Sequence, residues 1–337
     1  MSEQEITNKE LLHMEFNQNN TCFSCGTTKG FRIHTTDPYG LIYERDMGGS
    51  IDKAIMLYKC NILAIIGGGN NPRYPLNTVM IWDDNLKKCI GELKFRSKVK
   101  AVKLRREFIV VVLDYRTYIY NFRDFTLHDS IDTPMNETAL CDISYGENNF
   151  ILICPGLQQG SIRVNSYNYS KVKYINAHDS RLESIVINND GTLIASASEK
   201  GTVIKIFDAK TGEYIQELRR GMERTRILSL AFSFDKLWVA CSSEKDTIHI
   251  FRLKGNEENN NIQNPKSRLS FMSSFLPKYF NSERSFASYK INDNKTIVGF
   301  SSINNNILVL GSEGNFYRLE FDHENINSMT LIETYKF

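Results

Sequence analysis

Two stretches of the sequence repeat each other: Ser184–Thr202, SIVINNDGTLIASASEKGT, and Ser229–Thr247, SLAFSFDKLWVACSSEKDT. They align without a gap at an offset of 45 residues (229 − 184). Each contains apolar runs of strand length separated by turn residues. A period near 45 with four short strands per unit is typical of WD-type propeller blades.

A second repeat extends the pattern towards the amino terminus. Ile81-Trp82-Asp83 corresponds to Ile206-Phe207-Asp208 at an offset of 125 (206 − 81). Dividing the length of 337 residues by the shorter period gives roughly seven units. We therefore predict one all-β domain over residues 1–337, a seven-bladed WD-type β-propeller with four antiparallel strands per blade. The blades are expected to start near Phe16, Cys60, Ser97, Glu137, Arg181, Thr225 and Asn294.

Composition excludes several classes of protein. Lys and Arg number 41 and Asp and Glu 39, so the net charge is +2, and a general nucleic-acid-binding surface is not expected. A hydrophobic content of 41% and a mean hydropathy of −0.35 fit a soluble globular protein. Residues 1–10 lack the apolar core of a signal peptide, and no run of 18 apolar residues indicates a membrane-spanning helix.

The cysteines and histidines give no support for a metal site or for catalysis. Seven cysteines without regular spacing indicate reduced thiols. Cys22-x-x-Cys25 resembles half a zinc site, but no second pair follows at usable spacing, so we expect buried strand thiols. The six histidines are scattered, and no Walker motif or nucleophile elbow occurs. We expect neither an enzyme nor a metal or other cofactor.

Leu218-Arg219-Arg220-Gly221 is the motif with the clearest chemistry. It ends the third strand of the best-defined unit, and arginine offers a planar donor group suited to phosphate. Neighbouring side chains on a strand point to opposite faces, so the two arginines would serve two sites. The alternative is an exposed pair that caps the strand in solvent. Each flanking repeat supplies a similar polar set: Ser196, Ser198 and Thr202 near His178, and Ser242, Ser243 and Thr247 near His249.

A long insertion, residues 254–285, interrupts the sixth blade. Its apolar side chains recur at roughly helical spacing and are flanked by basic residues, which suits insertion into the interface of an anionic membrane. The alternative is packing on the outer wall of the propeller. The predicted membrane-inserting residues are Phe271, Met272, Phe275, Leu276, Tyr279 and Phe280.

The most basic stretch lies between the second and third units. Lys94, Arg96, Lys98 and Lys100 alternate, which places them on one face of a predicted strand. Such a face is either solvated or a docking surface for an acidic partner or nucleic acid.

The sequence resembles the PROPPIN family of seven-bladed phosphoinositide-binding propellers, and it is nearest the branch that contains the WIPI three/four pair and the yeast HSV-type member. Leu218-Arg219-Arg220-Gly221 is similar to the family's Phe/Leu-Arg-Arg-Gly signature. Further similar segments are Phe16-Asn17-Gln18, Gly30-Phe31-Arg32-Ile33, Gly67-Gly68-Gly69, Val79-Met80-Ile81-Trp82-Asp83-Asp84, Val99-Lys100-Ala101-Val102, Ile175-Asn176-Ala177-His178 and Thr247-Ile248-His249-Ile250-Phe251.

The resemblance implies binding of phosphatidylinositol 3-phosphate and phosphatidylinositol 3,5-bisphosphate at two sites. The first would comprise His178, Ser196, Ser198, Thr202 and Arg219, and the second Arg220, Ser242, Ser243, Thr247 and His249. In the family the insertion of the sixth blade dips into the membrane, and the side of blades two and three binds partners, including autophagic lipid-transfer proteins. Arg73, Asn77, Lys98 and Lys100 would form that partner surface.

The expected protein is a monomeric, peripheral effector or scaffold in autophagy, with micronucleophagy as one candidate pathway, and in vacuolar and endosomal membrane traffic. It would move reversibly between the cytoplasm and vacuolar, endosomal and preautophagosomal membranes. Its partners would be phosphoinositide-containing membranes and an autophagic lipid-transfer protein or other autophagy factors. The alternatives are a lipid-independent WD-repeat scaffold for protein interaction and, more remotely, a propeller hydrolase.

Overall fold

The regular structure consists of β-strands. The computed structural model describes residues 10–254, 264–265, 282–304 and 306–337, and these residues contain no helix. They form seven sheets, each built on four antiparallel strands, and one sheet gains a fifth, parallel strand. The predicted fold, an all-β seven-bladed propeller with four antiparallel strands per blade, is confirmed.

The chain divides into two compact units, and the first contains blades one to three together with residues 310–316 and 335–337. Blade one comprises Leu11–Phe16 (β1), Cys22–Thr27 (β2), Gly30–Thr36 (β3) and Tyr39–Asp46 (β4). Blade two comprises Ile51–Met56 (β5), Ile62–Gly67 (β6), Thr78–Asp83 (β7) and Lys88–Lys94 (β8). Blade three comprises Ala101–Leu104 (β9), Phe108–Val112 (β10), Arg116–Asn121 (β11) and Leu127–Asp132 (β12).

The second unit contains blades four to six and most of blade seven. Blade four comprises Asp142–Ile143 (β13), Ile151–Pro155 (β14), Ser161–Ser166 (β15) and Lys171–Asn176 (β16). Blade five comprises Leu182–Ile187 (β17), Leu193–Ser198 (β18), Val203–Asp208 (β19), Tyr214–Arg219 (β20) and the added strand Glu283–Arg284 (β24). Blade six comprises Ile227–Phe232 (β21), Trp238–Ser243 (β22), Thr247–Arg252 (β23) and Ala287–Lys290 (β25). Blade seven comprises Thr296–Phe300 (β26), Ile307–Gly311 (β27), Asn315–Phe321 (β28) and Met329–Lys336 (β29).

The first and last blades do not exchange strands within the described residues. β1 pairs with β2 in the first blade, and the seventh blade is built from its own four consecutive strands. Blade six is the exception to consecutive order, since its fourth strand follows the insertion and β24.

Six of the seven predicted blade starts lie within five residues of the start of the first strand of their blade, and one lies one strand too late. The start predicted near Cys60 follows β5, which begins at Ile51 and ends at Met56. β5 reads IDKAIM, with polar residues at its second and third positions, whereas the next strand is a continuous apolar run. The stronger run was therefore interpreted as the opening strand. The prediction that the Leu-Arg-Arg-Gly motif ends a third strand is also wrong, since Arg219 ends β20, the fourth antiparallel strand of its blade.

Buried second strands explain the short continuous apolar runs of the sequence. All six residues of Trp238–Ser243 are buried, as are the last five of Ile62–Gly67. A strand covered on both faces has no solvent face to alternate with, so its sequence stays apolar. Burying one large apolar side chain contributes about 1.5–3 kcal/mol, which makes these strands a main source of stability in each unit.

The two cysteines of Cys22-x-x-Cys25 are buried on β2, which confirms the prediction of strand thiols. Burial raises the pKa of both thiols above its ordinary value. Within the described residues no group of His, Cys, Asp and Glu is arranged to hold a metal ion. None of the described residues forms a helix long and apolar enough to cross a membrane.

Candidate phosphate-binding site

The Leu-Arg-Arg-Gly motif lies where β20 ends. Leu218 is fully buried and anchors the strand, and Arg219 is opposite Val203 of β19. The backbone N–H of Arg220 donates to the carbonyl of Thr202 at 3.0 Å, so Thr202 is next to both arginines along the backbone. Main-chain pairing therefore fixes the backbone of the motif.

Arg220 is a buried cation without a carboxylate partner. Its side chain donates from Nε to the carbonyl of Gly201 at 3.0 Å and from a terminal nitrogen to the carbonyl of Glu223. The residue is 8% exposed, and none of the described residues forms an ion pair with it. Burial lowers the pKa of its guanidinium, although an arginine stays protonated under these conditions. Its positive charge is thus available to an anion.

The sixth blade carries two polar side chains that the described residues leave unsatisfied. The Nδ1 atom of His249 and the Oγ atom of Ser243 are buried and have no hydrogen-bond partner among the described residues. Burial and the charge of Arg220 lower the pKa of His249 to about 4, so the ring is neutral at physiological pH. Buried polar atoms without partners are uncommon in native proteins, and a bound ligand is one reason for them.

The other two residues of the second predicted set are already engaged. Ser242 Oγ donates to the carbonyl of Thr296 at 2.9 Å, and Thr247 Oγ1 donates to the carbonyl of Lys245 at 3.0 Å. Of this set, the structure therefore leaves Ser243 and His249 with free polar atoms and Arg220 with an uncompensated charge.

The fifth blade brings together part of the first predicted set. His178 Nε2 is 3.0 Å from Ser196 Oγ, and burial and the nearby Lys205 lower the pKa of His178 to about 4. Ser198 is buried, and its carbonyl accepts from Gly201 N–H at 2.8 Å. Sequence reasoning missed Lys205, whose Nζ donates to the carbonyl of Ala177 at 2.8 Å. Its position between two buried isoleucines of β19 was the available signal.

Arg219 points towards the end of the insertion. Its side chain is 13% exposed and donates to Ser282 Oγ at 3.2 Å, and it lies 3.7 Å from a carboxylate oxygen of Glu217. The two arginines thus diverge, Arg219 towards Ser282 and Arg220 towards Gly201 and Glu223. Both are largely buried, so the interpretation as an exposed, solvent-capping pair is wrong.

The predicted membrane-inserting side chains lie outside the described residues. These are Phe271, Met272, Phe275, Leu276, Tyr279 and Phe280. The insertion does, as predicted, separate the third and fourth strands of blade six.

The basic stretch of the first unit differs from its prediction. β8 ends at Lys94 and β9 begins at Ala101, so residues 95–100 form a connection and not a strand face. The prediction of one alternating basic strand is therefore wrong: the intervening Phe95 and Val99 are buried, but residues 95–100 are irregular and do not form a strand. Lys98 is exposed, whereas Lys100 forms an ion pair with Asp114 at 2.9 Å.

The other predicted partner residues have local roles. Asn77 donates from Nδ2 to the carbonyl of Phe95 at 2.7 Å and so holds the connection to β7. Arg73 is exposed and lies over the ring of Tyr74, with its guanidinium carbon 5.7 Å from the ring centre. Arg73 and Lys98 are therefore accessible, and Asn77 and Lys100 are partly committed to the fold.

Comparison with known proteins identifies relatives over nearly the whole chain. Autophagy-related protein 18e of Arabidopsis thaliana is 40% identical over 329 residues, covering 96% of this chain and 87% of the relative. SVP1-like protein 2 of Pichia angusta is 35% identical over 298 residues, covering 83% and 81% respectively.

Solved structures share the fold. A structure of Kluyveromyces lactis Hsv2 with its complete loop 6CD matches with a TM-score of 0.79 at 24% identity, covering 97% of this chain and 99% of that one. The complex of KlAtg21 with the coiled coil of AgAtg16 matches with a TM-score of 0.79 at 25% identity and the same coverage. The PROPPIN family model matches residues 11–337. This chain is therefore a member of the PROPPIN family of autophagy-related β-propellers.

Proposed function

We propose that this protein binds the 3-phosphorylated headgroups of phosphatidylinositol 3-phosphate and phosphatidylinositol 3,5-bisphosphate. Two sites flank the Leu-Arg-Arg-Gly motif. The first uses Arg219 with His178, Ser196, Ser198 and Thr202, and the second uses Arg220 with Ser242, Ser243, Thr247 and His249.

The observation that carries the proposal is the state of Arg220. Among the described residues this buried guanidinium donates only to carbonyls, and its charge acts on His249. His249 Nδ1 and Ser243 Oγ of the sixth blade are buried and have no partner among the described residues. Carbonyls do not neutralise a cation as a carboxylate does, so the site keeps a net positive charge. A phosphate accepts several hydrogen bonds at once, and charge-assisted bonds of this kind are about twice as strong as neutral ones.

Arg219 supplies the contact of the first site. Its neighbour Glu217 compensates part of its charge at 3.7 Å, so we expect this site to bind more weakly than the second. Two weak headgroup contacts and an apolar insertion would act together on one membrane, because each contact raises the effective concentration of the others.

The protein acts as a monomeric, non-enzymatic effector on membranes in autophagy, including micronucleophagy, and in vacuolar and endosomal traffic. It cycles between the cytoplasm and vacuolar, endosomal and preautophagosomal membranes. Residues 266–281 supply the inserting side chains Phe271, Phe275 and Phe280. The autophagy-related relatives support the pathway, and the composition of the insertion supports the membrane contact.

Flotation with vesicles tests the lipid function. The double variant Arg219→Thr, Arg220→Thr should lose flotation with vesicles that contain phosphatidylinositol 3-phosphate, while its melting temperature stays near that of the wild type. Lys171→Thr, Lys210→Thr is the matched control, because both lysines are exposed and the net charge changes by the same amount. Undiminished flotation of the arginine variant would overturn the proposal.

A second function, binding of an autophagy factor at the side of blades two and three, is favoured by the accessibility of Arg73 and Lys98. The related KlAtg21 is seen in complex with the coiled coil of AgAtg16. We expect Arg73→Glu, Lys98→Glu to abolish pull-down of an acidic coiled-coil autophagy factor without changing flotation. A variant that still binds the factor would exclude this surface, and flotation lost along with it would point to a damaged fold.

A further inference from the structure

The insertion of blade six is held at three points along its length. It begins after Lys254, whose backbone N–H donates to Gln216 Oε1 at 3.0 Å. Asn264, in the middle of the sequence of the insertion, donates from Nδ2 to the carbonyl of Arg252 at 2.6 Å and accepts from the N–H of Arg252 at 2.7 Å. The chain returns at Glu283–Arg284, which adds β24 to β20 in parallel.

These three points meet in one buried polar cluster. Glu283 Oε2 accepts from Gln216 Nε2 at 2.7 Å and from Asn264 Nδ2 at 2.8 Å. Lys254 Nζ lies 3.3 Å from the other carboxylate oxygen of Glu283. Gln216, Asn264 and Glu283 are between 2% and 7% exposed, whereas the side chain of Lys254 reaches solvent. A buried carboxylate with this many donors is well satisfied, and removing one donor costs more than an exposed hydrogen bond would.

The cluster divides the insertion into two segments. The N–H of Arg284 donates to the carbonyl of Pro265 at 2.8 Å, so the chain leaves at Pro265 and returns beside the same residue. In the sequence, Asn264 and Pro265 lie between residues 255–263 and the sixteen residues 266–281, which contain all six predicted membrane-inserting side chains.

The return of the chain is also connected to the candidate lipid site. Ser282 Oγ donates to Glu217 Oε1 at 2.5 Å and accepts from Arg219 at 3.2 Å. Arg219 is opposite Arg284 in the β20–β24 pair. Ser282, which directly follows residues 266–281 in the sequence, and the guanidinium of Arg219 are therefore held on the same strand edge.

We propose that Gln216, Asn264 and Glu283 are positioning residues that fix where residues 266–281 leave the sixth blade, so that this segment and Arg219 engage the same membrane at once. The inference rests on the proposed lipid-binding function and extends it. When the cluster holds the insertion, less conformational entropy is lost on binding than for an unrestrained loop of more than thirty residues. Preorganisation raises affinity in this way.

The test separates vesicle binding from headgroup binding. Asn264→Ala removes bonds that the insertion makes and leaves the four antiparallel strands of each blade intact. We expect its affinity for vesicles containing phosphatidylinositol 3-phosphate to fall about tenfold, which is about 1.4 kcal/mol. Its affinity for water-soluble inositol 1,3-bisphosphate, measured by calorimetry, should stay at the wild-type value, because the blades that carry the headgroup sites remain folded. Glu283→Gln, which keeps an acceptor oxygen, should retain more vesicle binding than Glu283→Ala.

A double-mutant cycle shows whether the cluster acts through residues 266–281. When that segment is replaced by a Gly-Ser linker, Asn264→Ala should have no further effect on vesicle binding, because the two changes remove the same contribution. Asn176→Ala, an exposed asparagine of the fourth blade, is the matched control and should behave as the wild type.

The outcomes distinguish this inference from the proposed function. Wild-type vesicle binding by Asn264→Ala, together with loss in Arg219→Thr, Arg220→Thr, would overturn the positioning role alone. An additive effect in the linker background, or an equal fall in inositol 1,3-bisphosphate affinity, would also overturn it. Wild-type vesicle binding by the arginine variant would instead overturn the lipid function on which it rests.

Discussion

Three cations of the first unit and Arg220 of the second unit differ in the groups to which they donate hydrogen bonds. Lys100, Lys103 and Arg105 each contact a carboxylate of the same unit: Asp114, Glu15 and Glu107 respectively, at 2.8–2.9 Å. Arg220 instead donates to two main-chain carbonyls. The first set is neutralised by its own fold, and the second keeps its charge.

This difference shows that the density of basic residues in the sequence is a poor guide to anion binding. The basic stretch of the first unit is the more conspicuous in sequence, yet Lys100 at its end, like Lys103 and Arg105 just after it, is paired with a carboxylate. Surface ion pairs contribute little to stability, but half-buried pairs such as Lys103–Glu15 contribute more. A single buried arginine without a carboxylate is better prepared for phosphate than several paired lysines.

The largest effect is expected at Arg220. Arg220→Thr should lower the affinity for inositol 1,3-bisphosphate about 100-fold, since losing charge-assisted hydrogen bonds to phosphate costs about 3 kcal/mol. Lys98→Thr, which removes an exposed cation of the first unit, should leave this affinity unchanged. Calorimetry with both variants measures the contrast directly. Equal losses in the two would mean that overall charge, and not the Arg220 site, governs binding.

A structural role is expected for the paired cations, with Lys103–Glu15 as the test. Burial alone would raise the pKa of Glu15, but Lys103 and His13 lower it to about 2. Glu15→Gln should therefore reduce the free energy of unfolding by about 2 kcal/mol at pH 7 and leave headgroup binding intact. A carboxylate with a lowered pKa stabilises the fold above its ordinary pKa of 4.5, and the contribution is lost as the pH falls towards 2.

Urea unfolding of Glu15→Gln, Lys103→Met and the double variant checks this assignment. The coupling between the two changes should be clearly above zero, because the residues contact each other. Additive effects would show that the pair contributes nothing and that the contrast with Arg220 is not one of pairing.

The repeat and the motif were sufficient to predict the blades and the divergence of the two arginines. The 45-residue offset recurs because each blade is the same supersecondary unit, so spacing alone determines strand order. The start of blade two was misplaced because β5 carries polar residues that weaken the apolar signal.

The positioning cluster could not be predicted from the sequence. Gln216, Asn264 and Glu283 are separated by 48 and 19 residues, and none belongs to a periodic pattern. Their burial depends on the return of the chain to β20 through a strand of two residues, and a strand this short has no sequence signature. The carboxylate partners of Lys103 and Lys100 were missed for the same reason, since they lie 88 and 14 residues away.

Arg220 keeps its charge when it is buried, whereas the buried His34 of the first unit favours its neutral form, and this contrast depends on pH. His34 in the first unit is 3% exposed and stacks on Phe23 at 4.8 Å between ring centres. Its ring nitrogens have no hydrogen-bond partner in the part of the chain that the structure describes. Burial and the nearby Arg32 lower its pKa to about 4. The neutral ring is favoured in the folded state, so stability is lost as the pH falls from 6.5 towards 4.

Replacing this histidine should remove part of the acid sensitivity. His34→Phe keeps the aromatic stack and should be less destabilised between pH 7.5 and 5.5, by about 1.4 kcal/mol, than the wild type. His128→Phe, at an exposed position, is the control. Unfolding by urea at both pH values gives the comparison, and an unchanged pH dependence in His34→Phe would rule out this histidine as the source.

The smallest effect concerns Glu217, which makes Arg219 resemble the neutralised cations of the first unit. Its carboxylate lies 3.7 Å from the guanidinium and accepts from Ser282, so it competes with a phosphate for Arg219. Glu217→Gln should retain the bond to Ser282 and raise vesicle affinity about threefold, because a partly exposed charge pair contributes less than 1 kcal/mol. The gain should disappear in the Arg219→Thr background and persist in Arg220→Thr. A gain that survives loss of Arg219 would mean that Glu217 acts on the membrane surface and not on Arg219. The two arginines would then differ only in the direction in which their side chains point.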